Sequence, residues 1–167
     1  YGYQGGINPN FGQALAIIDN NTFQTNLYPS DINYAMTNAI GSDSSGHLLF
    51  YANGVFLYNR FDTLMKGGDS INANPDAYQN SYDWNIPQGL FLIPFPNQSH
   101  KYIMFQPQAF FIFPFWGPQR LDYHIIDMDA ENGTGEVVSY QNPLINDVFA
   151  AGMLTGVKHA NGRDWWV

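Results

Sequence analysis

Turn chemistry recurs along this chain at short intervals, and that constrains its fold more than any other feature. Between positions 157 and 167 the pair Asn161-Gly162 lies between apolar flanks, where it can supply the two positive φ angles of a type I′ turn. The same logic applies to 47–59, with Asn53-Gly54 at the bend, and Gly41-Ser-Asp-Ser-Ser-Gly46 forms a further turn before it. Strands therefore follow one another as a meander. A second set comes after Pro87: strands over 90–94, 101–106, 121–127 and 136–140, with a Pro-Asn-Gln-Ser turn after the first and a Gly133-Thr-Gly135 turn before the last. These make a four-stranded unit. The segment 66–88 is rich in Asn, Gly, Asp and Pro, has no period, and reads as a loop between units.

Composition points the same way. With 45% hydrophobic and 17% aromatic residues the chain is too apolar to stay unfolded, yet only 12% of it is charged. Polarity comes instead from 18 Asn together with Gln, Ser and Thr, and there are only two Glu (Glu131, Glu136) and three Lys (Lys66, Lys101, Lys158). Long surface helices need the charged residues this chain lacks. The apolar runs around Leu48/Phe50 and Tyr102/Met104 are nearly continuous, as in strands buried on both faces. Repeated four-stranded meanders of roughly 40–60 residues predict an all-β fold, an incomplete β-propeller of two to three four-stranded antiparallel blades. The expected units are an N-terminal strand segment (1–30) and a first blade-like unit (31–86) with the polar loop 66–88. A second unit (87–147) with an aromatic insertion at 107–118 follows, then the truncated start of a further blade (148–167).

Four blocks in order carry a family resemblance. They are Ser42-Asp-Ser-Ser-Gly-His-Leu-Leu-Phe-Tyr-Ala-Asn-Gly-Val-Phe-Leu-Tyr-Asn-Arg60, Gly89-Leu-Phe-Leu-Ile-Pro-Phe-Pro96, Tyr123-His-Ile-Ile-Asp-Met-Asp129 with Gly133-Thr-Gly-Glu-Val137, and the segment 155–167 with its Lys158-His-Ala-Asn-Gly162 core. The series resembles the N-terminal β-propeller of large secreted proteins of Bacteroidota, many of which end in a sorting domain for type IX secretion. It departs from that pattern before Leu90, which lacks a small polar run, and at 105–118, which is unusually aromatic. The resemblance implies an exported, surface-associated protein and no particular activity. It also implies that Asp62-Thr63-Leu64 and Asp69-Ser70-Ile71 are acceptors of the Asp-Ser/Thr-aliphatic type for O-glycosylation at Thr63 and Ser70.

The formal charge is −8, and the six basic residues at 60, 66, 101, 120, 158 and 163 form no stripe, so nucleic acid is not an expected partner. The most apolar stretch, 105–116, is broken by Pro107 and Pro114 and predicts no membrane insertion. Without cysteine there is no disulfide framework and no thiolate metal site. The opening at Tyr1, with no Met and no signal peptide, suggests a mature product or a piece of something longer.

Candidate sites are few. The run Asp127-Met-Asp-Ala-Glu-Asn-Gly-Thr-Gly-Glu136 begins like a calcium loop, but Asn132 and Val138 stand where an EF-hand needs Gly and Glu, so an acidic β-turn is favoured over a calcium site. Calcium is the only cofactor the sequence offers. The same four carboxylates (Asp127, Asp129, Glu131, Glu136) are where a glycosidase would place its acid and nucleophile, and a solvated turn is favoured there too. His47, His100, His124 and His159 show no metal-ligand spacing, and neither a GxSxG elbow nor a phosphate-binding glycine loop occurs. Asn20, Asn97 and Asn132 match the N-glycosylation acceptor, as chance allows in an Asn-rich chain.

The aromatic run Phe110-Phe111-Ile-Phe113-Pro-Phe115-Trp116 and the pair Trp165-Trp166 form the expected interaction surface. Their partners would be the remaining blades of the same gene product, neighbouring subunits, or carbohydrate, whose apolar sugar faces stack on aromatic rings. The sequence thus predicts a non-catalytic extracellular or cell-surface scaffold or binding module. The alternatives are a propeller-type glycoside hydrolase or lyase, and a structural filament or sheath subunit.

Overall fold

The computed structural model describes residues 13–18, 22–28, 32, 34, 37–75, 77, 86–112 and 115–167. Among the described residues the named elements are eleven strands and one 3-10 turn, and the protein is all-β, built of small antiparallel sheets of which none closes into a barrel. Strands β1 (Gln13–Ile18) and β2 (Phe23–Tyr28) form a hairpin. Strands β3 (Ala39–Ser42), β4 (Leu48–Ala52) and β5 (Leu57–Asn59) form a three-stranded meander. Strands β6 (Phe91–Pro94), β7 (Lys101–Ile112), β8 (Phe115–Asp127) and β9 (Glu136–Asn146) form a four-stranded one. Strands β10 (Val157–Lys158) and β11 (Trp165–Trp166) make a last small hairpin.

The wealth of Asn has a local explanation. Asn side chains accept backbone N–H groups two to four residues on and so hold turns that the sheet ladders leave open. Asn53 Oδ1 accepts from Val55 and Phe56 (2.9 and 2.8 Å), Asn59 Oδ1 from Phe61 and Thr63 (2.9 and 3.3 Å), and Asn161 Oδ1 from Arg163 and Asp164 (2.9 and 3.0 Å). This use of the side chain corrects the type I′ expectation at Asn53-Gly54 and Asn161-Gly162. Only the glycines have positive φ there, 85° at Gly54 and 71° at Gly162. The connections are accordingly longer than two residues: Ala52 pairs with Leu57, and Lys158 with Trp165.

The central hairpin also runs further than the pattern of residues suggested. β7 and β8 stay paired from Lys101↔Asp127 to Ile112↔Phe115, through both Pro107 and Pro118. Pro107 lies past the last β6 pair at Phe105, and Pro118 lies before the first β9 pair at Arg120, where its carbonyl still accepts the Phe149 N–H at 3.2 Å. A missing N–H on an open side costs no ladder bond.

The two meanders share one core. Phe50, Ala52 and Leu57 of the first, with Met65 and Ile71 from the segment after it, pack with Leu90, Tyr102, Met104, Ile126, Met128 and Val137 of the second. The Phe50 and Tyr102 rings meet edge to face at 5.2 Å and 79°, and the Tyr102 hydroxyl donates to Ser42 O at 2.8 Å. Along β7 every residue from Met104 to Ala109 is buried, which bears out strands covered on both faces. The second face of the β6–β9 sheet carries Phe91 and Phe105, their rings 6.5 Å apart. The Gly156 backbone, just before β10, lies against the Phe91 ring so closely that a Cβ there would collide with it.

Candidate functional site

The aromatic surface is placed in part. Phe110 is half-buried in β7, and the ladder continues through Phe111↔Trp116 and Ile112↔Phe115, so these residues form the end of the β7–β8 hairpin. Phe113 and the side chains of Phe111, Phe115 and Trp116 lie outside the described residues. Trp165 is half-buried, with Lys158 Nζ 6.0 Å from its ring, while Trp166 is 67% exposed and its ring lies 5.8 Å from that of His159. Thr63 is exposed in the turn after β5, where its hydroxyl donates only a long 3.4 Å bond to Phe61 O. Ser70 is half-buried, and its carbonyl is engaged by the second sheet.

The acidic turn does not gather its carboxylates on one point. Lys66 Nζ sits between Glu131 (2.6 Å) and Glu136 (3.2 Å), and a parallel bridge joins Lys66 to Glu136. Asp127 Oδ2 faces Lys101 Nζ at 3.4 Å, and Asp127 Oδ1 accepts the Asp129 N–H at 3.1 Å. Among the described residues one group has donor atoms close enough to hold a metal ion, His100 with Asp127 and Asp129, all within 4.8 Å of one another. Here the protein supplies a cation of its own, the Lys101 ammonium at Asp127, and His100 Nδ1 is 3.6 Å from Asp129.

A different set of residues stands out once the sheets are assembled. Residues facing the first meander alternate along β7 as Tyr102, Met104, Gln106 and Gln108, opposite Ile126, His124, Asp122 and Arg120 of β8. The inner half is apolar and belongs to the shared core. The outer half is polar, yet Gln106, Gln108, Asp122 and His124 are each 0% exposed. The two glutamines are held by backbone groups of the loop segments 54 and 70–74. Gln106 Nε2 and Asn72 Nδ2 both donate to Gly54 O, at 2.6 and 2.8 Å. Gln108 is held twice, donating to Ile71 O (3.1 Å) and accepting from Ala73 N–H (2.9 Å). Arg120 makes a two-pronged bond to Asp122 at 2.7 and 2.6 Å, which pairs both oxygens of that buried side chain.

From β9 comes Gln141, in a left-handed backbone conformation with φ 54°. Its N–H donates to His124 Nδ1 at 3.1 Å, and its side-chain amide donates to Ser70 O (2.8 Å) and Asn72 O (3.2 Å). Because Nδ1 accepts, the neutral imidazole carries its hydrogen on Nε2, which, like Gln106 Oε1, is buried without a hydrogen-bond partner among the described residues. Burial, and then the Arg120 guanidinium, push the imidazole down from 6.5 to about 3. The seam therefore holds one strictly neutral histidine at neutral pH, sealed from solvent. It can exchange a proton only by opening.

Family models, curated proteins and solved structures offer no match to this chain. Sequence reading passed over the seam because Gln, Asp and His in a strand suggest a solvent face. The available signal was parity. Gln106 and Gln108 continue the side of Tyr102 and Met104, and Asp122 and His124 continue that of Ile126, so the polar set shares a face with core residues.

Proposed function

We propose that this protein is a non-catalytic extracellular or cell-surface scaffold or binding module of the β-propeller kind, in which each meander is a blade. The observation that carries the reading is serial stacking. One face of the β6–β9 sheet packs on the meander that precedes it, through the core shared by Phe50, Tyr102 and Met104, and Gly156 at the head of the next hairpin rests on Phe91 of the opposite face. Blades of a propeller succeed one another in this way, face on face and in chain order. The partner on this reading is further β-structure of the same gene product, or of a neighbouring subunit, added beside the β10–β11 hairpin. Open strands, exposed Trp166 and 62% exposed Val157 suit such an addition. Carbohydrate is the ligand class proposed for aromatic surface that remains free.

An experimental structure of the intact gene product tests this directly. The expected result is a ring in which the β3–β5 and β6–β9 sheets are adjacent blades and β10–β11 are strands of the next one. A two-layer sandwich with β10–β11 on its periphery would end the propeller reading. Recovery of the native protein only from the cytosol would end the surface assignment.

A further inference from the structure

We infer that His124 and Gln141 form a proton-operated latch between the two sheets, which uptake of one proton by the imidazole releases. Gln141 makes two kinds of contact from a single residue. Its backbone N–H needs an acceptor at His124 Nδ1, and its side-chain amide reaches across the interface to Ser70 O and Asn72 O. A proton on Nδ1 turns that acceptor into a donor facing a donor. The Gln141 backbone must then withdraw, and its side chain leaves with it. The left-handed φ of 54°, which a non-glycine residue adopts only when its surroundings hold it, favours the withdrawal.

The surroundings of the imidazole reinforce the effect. On β8 the charges are Arg120, which disfavours a second cation, and Asp122, whose two oxygens are already taken by that guanidinium. From β7 the neighbours are Met104, paired opposite His124, and Gln106 on the diagonal; β9 contributes Gln141. None of these three is ionisable, so no nearby carboxylate is free to accept the new charge. The closed latch excludes the proton and the open one admits it. Other links across the interface do not depend on His124: Gln108 holds Ile71 and Ala73, and Gln106 holds Gly54, by amide groups that do not titrate. Opening is therefore local to β9 and 70–72, with the shared core intact.

Amide hydrogen exchange followed by NMR on the full chain, corrected for the intrinsic pH dependence of exchange, reads the latch residue by residue. Between pH 6.5 and pH 5, opening at the Gln141 amide should rise about sixteenfold, approaching tenfold per unit at the acid end, because the open state, with its imidazole at the ordinary 6.5, binds one more proton than the closed one. The Ala73 amide, held by Gln108, should not follow. His124→Asn, which keeps an acceptor and cannot gain a proton, should abolish the slope. Gln141→Gly tolerates the backbone conformation and removes the reaching side chain, so residues 70–72 should exchange faster at pH 7 while the slope at position 141 persists. Opening at Gln141 that is independent of pH in the wild type overturns the inference even if the variants do not fold. So does an equal rise at Ala73, which would mark general acid destabilisation, or an unchanged slope in His124→Asn.

Discussion

Phe50→Ala should cost this protein about 3–5 kcal/mol, near the top of that range, and the loss should be felt in both meanders. Phe50 is completely buried in the core that the two sheets share. A cavity is expensive when its walls cannot collapse, and two features of this site prevent collapse. One wall is the Gly41 backbone, which has no side chain to move into the space. Another is Tyr102, whose ring is pinned by the 2.8 Å bond from its hydroxyl to Ser42 O. Against a total stability of roughly 5–15 kcal/mol for a domain, such a loss is large. Urea unfolding followed by circular dichroism should show a lower midpoint with an unchanged slope. Exchange at the Met104 and Ile126 amides, which lie in β7 and β8 rather than β4, should accelerate by the same free energy. A loss below about 1 kcal/mol, less than the smallest cost usual for such a cavity, would refute the packing argument. Unchanged protection in β7 and β8 would refute the single shared core.

Gly41→Ala places a methyl group against the same Phe50 ring and should destabilise by about 1–3 kcal/mol through overpacking, measured by the same urea titration. A neutral result would mean that the ring has room to yield. Trp166→Gln removes an exposed indole from the β10–β11 hairpin and should lower self-association of the isolated chain in light scattering, leaving the urea midpoint nearly unmoved. Unaltered association would remove that surface from the proposed contact. Protein from its native source should weigh more than its sequence, and Thr63→Ala with Ser70→Ala should abolish the excess, most of it through the exposed Thr63. A native mass equal to the sequence mass refutes glycosylation at both positions.

Strand content was legible because local chemistry fixes it. Scarce Glu and Lys exclude long helices, and the turn residues at Asn53-Gly54, Pro96-Asn97 and Gly133-Thr-Gly135 mark where the chain reverses. Boundaries were less legible at Pro107 and Pro118, because whether proline interrupts a strand depends on whether a neighbour sits on the side of its missing N–H. The turn geometry at Asn161 also escaped, since a side chain that accepts N–H groups further along competes with the φ that the Asn-Gly pattern suggests.

The seam residues lay further still from anything local. Gln106, Gln108, Asp122 and His124 read singly as residues for a wet face, and only their parity with Tyr102, Met104 and Ile126 says otherwise. They become a buried seam only because the loop segments 54 and 70–74 fold over that face and present their carbonyls to it. Burial is a property of what arrives from elsewhere in the chain. The sequence alone determined that there would be strands and where most of them would turn. The packing of one meander on the other decided which polar groups lost their water, and with it which histidine must stay neutral.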